Sequence, residues 1–247
     1  MIKSILKKAF GINKPEVAPE PITQATIDTV NRNPRIKRFD IINALIEKHG
    51  YNSYVEIGVR NPNECFAFIN CKEKYGVDPG VEADFPVDFN MTSDAFFAQN
   101  NRKYDLIFID GLHVDEQVKR DIANALNAIT PNGTIVLHDC NPPDLHHARE
   151  DYYDFNTPAT VYWNGTVWKA IVDFRASDEA TKYSCVVVNT DYGIGVIRPT
   201  TQGAKIENDN PFYAFRKFEK DRERYIGLIS IEEFEKEYIG KPIVAHH

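Results

Sequence analysis

Short, almost wholly apolar runs alternate along this chain with longer stretches in which apolar residues recur every three or four positions. The runs are YVEIGV (54–59), KYGVD (74–78), YDLIFID (104–110) and GTIVLHD (133–139). A strand that is apolar at nearly every position is covered on both faces, as strands inside a parallel sheet are. Between the runs the spacing predicts helices around Glu64 to Asn70, Ser93 to Asn100 and Val114 to Ile129. In the last of these Val114, Val118, Ile122, Ala125 and Ile129 make one stripe. Ile36, Phe39, Ile42, Leu45 and Ile46 give an earlier helix, which stops at His49-Gly50 and leads into the first run. This rhythm is a series of βαβ units, hence a parallel sheet wrapped by helices.

The second half predicts a helix over TVWKAIVDF, capped by Thr166 after the Asn164-Gly165 turn. YSCVVVNT and YGIGVIRP, parted by a few turn residues around Asp191, predict a hairpin that adds an antiparallel strand to the end of the sheet. In the tail, Asn210-Pro211 marks a helix start ahead of Phe212, Phe215 and Phe218, and Ser230 with Glu233 has the form of a capping box. At the front, MIKSILKKAF sets Ile2, Ile5, Leu6 and Phe10 on one helical side with Lys3, Lys7 and Lys8 around it, and KPEVAPEPI reads as a linker. Residues 1–22 are therefore expected to be a helix and linker ahead of one domain, 23–247. The terminal helix is expected to pack on its own domain or a partner, with contact to a membrane surface as the alternative.

Composition narrows the partners. A net charge of -7 argues against a general binder of phosphate backbones, so nucleic acid is not an expected partner. Cys65, Cys71, Cys140 and Cys185 form no CxxC pair, and the N-terminus lacks the pattern of a secretory signal, which fits reduced thiols and a cytoplasmic location. No apolar run approaches the roughly 18 residues that a transmembrane helix needs.

In open α/β sheets ligands lie beyond the carboxyl ends of the strands. Asp78, Asp110 and Asp139 end three of the runs, and Glu56 stands in the first, just before Gly58. Asp78 could accept hydrogen bonds from ribose hydroxyls, or serve only as the turn residue of Asp-Pro-Gly. No glycine follows Gly58 in the pattern G-x-G-x-x-G, which counts against a nicotinamide dinucleotide. If the strands before Asp110 and Asp139 are neighbours, roughly 4.8 Å apart, the two carboxylates converge closely enough to share a divalent cation, and oxygen ligands favour magnesium, calcium or manganese. His113 follows Asp110 by one tight turn and is placed to take a proton from a hydroxyl in the same crevice. Read without function, the same residues are a turn, a helix start and a cap. A zinc site from His138, Cys140, His146 and His147 has a spacing that matches no common structural zinc motif. His138 can also support the oxygen-rich site or supply its third ligand, while Cys140 suits a small buried filler. Trp163 and Trp168 flank WNGTVW, either as core or as a face on which a sugar stacks.

Over about residues 52–200 the sequence resembles the class I S-adenosylmethionine-dependent methyltransferases, and within them the metal-dependent macrocin-type O-methyltransferases. The segments that carry the likeness are YVEIGVRNPNE, YGVDPG, MTSDAFF, YDLIFIDGLHVDEQVKRDI and GTIVLHDCNPP. The resemblance implies a Rossmann-like, doubly wound, mostly parallel seven-stranded sheet ending in an antiparallel hairpin, with helical N- and C-terminal extensions. It implies S-adenosylmethionine lying over Gly58, with Glu56 near its amino-acid end, Asp78 on the ribose, and Thr92 or Ser93 near the base. Asp110 and Asp139 would hold Mg2+ and His113 would be the base. The chain departs from that pattern at His138, where a third acidic ligand is usual, and in its glycine-poor loop after Gly58. The expected activity is Mg2+-assisted methyl transfer to a hydroxyl of a sugar, glycan or related small molecule. The alternatives are a metal-independent methyltransferase and a non-catalytic S-adenosylmethionine-binding module docked to a glycan-assembly complex through residues 1–22. The expected partner is a small-molecule or glycan acceptor, and the pattern is compatible with a homo-oligomer.

Overall fold

The computed structural model describes residues 36–83 and 85–245, so the expected N-terminal helix and linker lie outside the described residues. The first element is helix α1 (Arg38–His49), closed by Gly50 at φ 64°, a left-handed position that suits glycine. Strands β1 (Ser53–Ile57) and β2 (Glu73–Val77) follow, then α2 (Ser93–Gln99), β3 (Tyr104–Ile109), α3 (Asp115–Ala128), β4 (Ile129–Leu137) and α4 (Val167–Ala176). The hairpin is β5 (Tyr183–Val188) and β6 (Ile194–Pro199). The tail contributes α5 (Phe215–Lys220), α6 (Arg222–Ile226), β7 (Leu228–Ile229) and α7 (Ile231–Phe234).

Seven strands pair in the order β2-β1-β3-β4-β6-β5-β7. Only β6 runs against its neighbours, antiparallel to both β4 and β5; the others are parallel to one another. This is the doubly wound, mostly parallel sheet with a terminal hairpin expected above. Its seventh strand is the short tail segment β7 on β5, which no apolar run announced.

Alternation along the strands divides the core. On β3, Tyr104, Ile107 and Ile109 face one apolar cluster, shared with Val118 and Ile122 of α3, Trp168 and Ile171 of α4, and Phe218 and Ile226 of the tail. Leu106 and Phe108 face the other, with Phe39, Ile42 and Leu45 of α1 and with Ile231 and Phe234 of α7. Both faces are sealed by helices, which is why the strands are apolar throughout. Among the described residues no helix is long and apolar enough to cross a membrane.

Three local expectations are corrected. Residues 64–70 hold only a 3-10 turn, Phe66–Phe68, with Phe68 half exposed, because that segment has no continuous apolar stripe to bury. Thr166 precedes α4 but makes no cap bond to it; its Oγ1 accepts from the Asp115 amide at 2.7 Å and so caps α3. The tail helix starts at Phe215 rather than at Pro211, since the Asn210 side chain turns back onto Ala214 at 2.9 and 3.1 Å, leaving Phe212 in solvent. The capping box at Ser230 and Glu233 is formed at the start of α7.

Candidate active site

The sheet's connections reverse direction at β1: the chain passes outward to β2, then returns to lay β3 on β1's other side. A crevice at the carboxyl edge is expected where two such neighbours part. Gly58 and Asp110 stand at that point, and they touch. A Cβ on Gly58 (φ 95°) would lie 2.2 Å from the Asp110 carbonyl oxygen, so only glycine lets these strand ends meet. The Gly58 amide donates to Val77 O at 2.8 Å, tying the first loop to the end of β2.

One strand further on, β3 and β4 stay paired to Ile109 and Leu137, and the His138 amide continues the ladder onto Ile109 O at 3.1 Å. Asp110 and Asp139 thus leave adjacent strands at the same level. Asp139 takes a left-handed conformation, φ 59°, uncommon for a residue with a side chain. Its Oδ1 accepts from Asn164 Nδ2 at 2.8 Å.

The two imidazoles fill the space between the carboxylates. His113 presents Nε2 to Asp110 Oδ1 and Nδ1 to Asp139 Oδ2, each at 3.3 Å. His138 brings Nδ1 to the same two oxygens, at 3.3 and 3.0 Å. Asp110, His113 and Asp139 each offer a ligand atom within 4.8 Å of the others. Neighbouring ligands of an octahedral ion with 2.0–2.1 Å bonds lie ~3 Å apart, so the spacing and the oxygen-nitrogen donor set suit a small divalent cation. Among the described residues no other such group occurs, and the zinc set His138, Cys140, His146 and His147 is not one. His147 instead presents Nδ1 to Asp144 Oδ1 at 3.1 Å, and Cys140 is buried filler, its Sγ 3.5 Å from His138 O.

Two members of the cluster escaped the sequence reading. Arg38, the first residue of α1, sets Nη1 2.7 Å from Asp110 Oδ2 and Nε 3.1 Å from Asp191 Oδ2. Asp191 sits in the β5–β6 turn, where it also accepts from the Arg38 amide at 2.8 Å and lies 3.5 Å from His138 Nε2. The turn closes with Gly193 N donating to Thr190 O at 2.7 Å over two positive-φ residues, Asp191 at 43° and Tyr192 at 62°, the form of a type I′ hairpin turn without its usual Asn-Gly. The one local signal was an aspartate in a tight turn, the commonest role for that residue and therefore uninformative.

Charges reinforce one another here. Burial pushes the Asp110 carboxyl up, but the His138 and Arg38 charges and bonds from both histidines outweigh it and hold it well below the carboxylate range. Burial likewise raises Asp191, and Arg38 with His138 more than reverses that. Burial lowers His113, yet Asp139 and Asp110 leave it raised; His138 is raised further, because Asp139, Asp110 and Asp191 together overcome burial and Arg38. Glu56 lies under this cluster, on the α1 side of β1, with its Oε2 accepting from Tyr54 Oη at 2.5 Å. Burial pushes its carboxyl up to about 8.

The remaining expected cofactor residues line the same edge toward β2 and α2, each with a structural bond. Asp78 Oδ1 accepts from the Gly80 amide at 2.7 Å, the turn reading of Asp-Pro-Gly. Thr92 Oγ1 caps α2 through the Ala95 amide at 3.3 Å, and Ser93 Oγ accepts from Gln117 Nε2 at 3.1 Å. Of the two tryptophans, Trp168 is core, stacked on Phe218 at 4.3 Å. Trp163 is half buried and stacks on the His113 ring at 5.1 Å and 23°.

The family model described as a methyltransferase domain matches residues 79–140, the stretch that contains Asp110, His113 and Asp139. Over that stretch the chain is similar to methyltransferases. No curated protein matches the chain. Similar solved structures include an SAH-bound methyltransferase from Podospora anserina, PaMTH1, at 14% identity and TM-score 0.48, with 81% of this chain and 94% of that one covered. The O-methyltransferase TomG from Streptomyces achromogenes, in complex with SAM, gives 9% identity and TM-score 0.44, covering 81% and 96%. An O-methyltransferase from Bacillus cereus in complex with SAH gives 12% identity and TM-score 0.40, covering 80% and 96%.

Proposed function

We propose that the chain is an S-adenosylmethionine-dependent O-methyltransferase acting on a hydroxyl of a sugar, glycan or related small molecule, assisted by Mg2+. The observation that carries this reading is the convergence of Asp110, His113 and Asp139 at the carboxyl edge of adjacent strands, beside the switch point at Gly58. The match of a methyltransferase family model to residues 79–140 supports it.

Gly58 would take the methyl donor on its backbone, with Glu56 below the amino-acid end, Asp78 toward the ribose diol and Thr92 or Ser93 toward the base. Asp110 and Asp139 would hold the ion, with His138, already against both inner oxygens, as third ligand once it gives up its proton on binding. When bound, the ion would acidify the acceptor hydroxyl and fix its direction. The base must reach the acceptor, and His113 is the more open imidazole, 19% exposed against 4% for His138. His113 would take the proton of the acceptor hydroxyl, and the methyl donor, when bound, would supply its methyl group to that oxygen and leave as a neutral thioether. In-line alignment supplies most of the acceleration, because little covalent help is needed from protein.

Trp163, held by Nε1 to Arg149 O at 2.8 Å, offers a ring face beside His113, and Tyr152 packs on it at 5.2 Å. Tyr153, Phe155 and Tyr162 of the same loop are exposed. Such a wall suits the apolar face of a pyranose.

The test is transfer from labelled S-adenosylmethionine to a panel of neutral sugars, with donor binding followed by calorimetry. We expect turnover that EDTA abolishes and Mg2+ restores, and a ~10²- to 10⁴-fold loss of kcat in His113→Ala with donor affinity kept. A second reading, His113 working without metal, is favoured by the Arg38 guanidinium already neutralising Asp110. Turnover unchanged in EDTA would decide for it. Donor binding with no acceptor ever methylated would leave a binding module.

A further inference from the structure

Arg38 is a cation built into the carboxylate cluster. Its guanidinium spans two carboxylates that come from distant parts of the chain, with Nη1 on Asp110 Oδ2 at 2.7 Å, Nε on Asp191 Oδ2 at 3.1 Å and Nη2 on Asp191 Oδ1 at 3.4 Å. Its own amide adds a third bond to Asp191, at 2.8 Å, so helix α1 and the hairpin turn are clamped together at this one residue. The Arg38 side chain is 22% exposed and each carboxylate 14%, so water screens the contact only weakly. Asp110 is consequently divided, Oδ2 committed to the guanidinium and Oδ1 facing His113 and His138.

We propose that Arg38 competes with a divalent cation for this cluster, holding Asp110 and Asp191 as a resident counter-charge and setting the metal affinity of the site. The proposal rests on the reading that Asp110 and Asp139 hold such an ion. A guanidinium on one oxygen of a carboxylate places a positive charge within a few ångströms of anything the other oxygen ligates, and like charges at that range in a weakly screened site oppose each other strongly. A residue that merely oriented Asp110 would have the reverse effect, since its loss would weaken ion binding. The sign of the change on neutralising Arg38 therefore separates the two roles.

The experiment is calorimetric titration of the full chain with MnCl2 for wild type, Arg38→Gln, which keeps donors but removes the charge, Arg38→Lys, which keeps the charge, and Asp110→Asn as the blank. We expect Arg38→Gln to bind Mn2+ at least about tenfold more tightly than wild type and Arg38→Lys to stay within about threefold of it, tenfold corresponding to ~1.4 kcal/mol of removed repulsion. Mn2+ should also raise the Tm of Arg38→Gln by more than that of wild type, because the ion replaces the lost counter-charge. Equal or weaker binding by Arg38→Gln overturns the proposal and leaves the metal reading standing. Binding by Arg38→Gln alone upholds it and removes the ion from the wild-type reaction. Silence from every variant overturns the metal reading, and the proposal with it. Failure of Arg38→Gln to fold even with Mn2+ also overturns the proposal, since the ion was to stand in for the guanidinium.

Discussion

Glu56 is the residue at which local chemistry and position disagree most. It occupies an inward position of β1 on the same face as Tyr54, between Gly76 of β2 and Phe108 of β3 on the side that packs against α1, and burial raises its carboxyl to about 8. An acid whose folded value exceeds its unfolded one stabilises the fold while protonated, and that stability drains away as pH rises through the window from about 4.5 to about 8. Glu56→Gln keeps an acceptor for the Tyr54 hydroxyl and removes the titration. It should be more stable than wild type by ~1–3 kcal/mol at pH 8 and lose that advantage near pH 4.5, as read from urea unfolding at the two pH values. His113 carries the same sign for a different reason, the attraction of its charged form to two carboxylates rather than burial. Asp139 and Asp110 raise it, so its contribution is complete below the ordinary value near 6.5 and is lost as pH rises through the folded one. A proton NMR titration of the metal-free protein should place its midpoint above 6.5, and Asp139→Asn should bring that midpoint down.

Elements decide which of these groups meet. Asp110, His138 and Asp139 come together because β3 and β4 are paired in register up to Ile109 and Leu137. The sequence made that neighbourhood legible, since both runs end in aspartate and a βαβ unit joins them. Arg38 and Asp191 were illegible: 153 residues separate them, and the contact exists only because β6 inserts between β4 and β5 and carries the hairpin turn back to the start of α1. Gly193 holds that turn against the loop after β4, where a Cβ would lie 2.4 Å from the Asn141 amide nitrogen. With φ at 94° as well, Gly193→Ala should cost ~2 kcal/mol or more in chemical denaturation. The aromatic loop has its own clamp, in which Arg149 donates to the carbonyls of His146, Asp151, Tyr152, Thr160 and Tyr162. If that loop receives the acceptor, Arg149→Ala should raise KM for the acceptor about tenfold while leaving donor affinity unchanged, measured by initial rates and calorimetry.

For the whole molecule, two apolar layers share one sheet, so each depends on the other. Trp168, 1% exposed and stacked on Phe218, ties α4 to the tail; Trp168→Ala should cost ~3–5 kcal/mol and still give one cooperative unfolding transition, because the strands belong to both layers. Periodicity by itself determined the strand runs, the helices over α1 and α3, the parallel sheet and the hairpin, because burial on a face or a stripe is written in the spacing of apolar residues. It also placed acids at the strand ends, since those positions are local. The tertiary structure alone decided that β7 completes the sheet, that Thr166 caps α3 rather than its own helix, that Trp163 lies on His113, and that Arg38 and Asp191 enter the cluster. Each of these depends on contacts between residues far apart in the chain, and spacing along a sequence carries no record of which distant segments the fold will bring within a bond length.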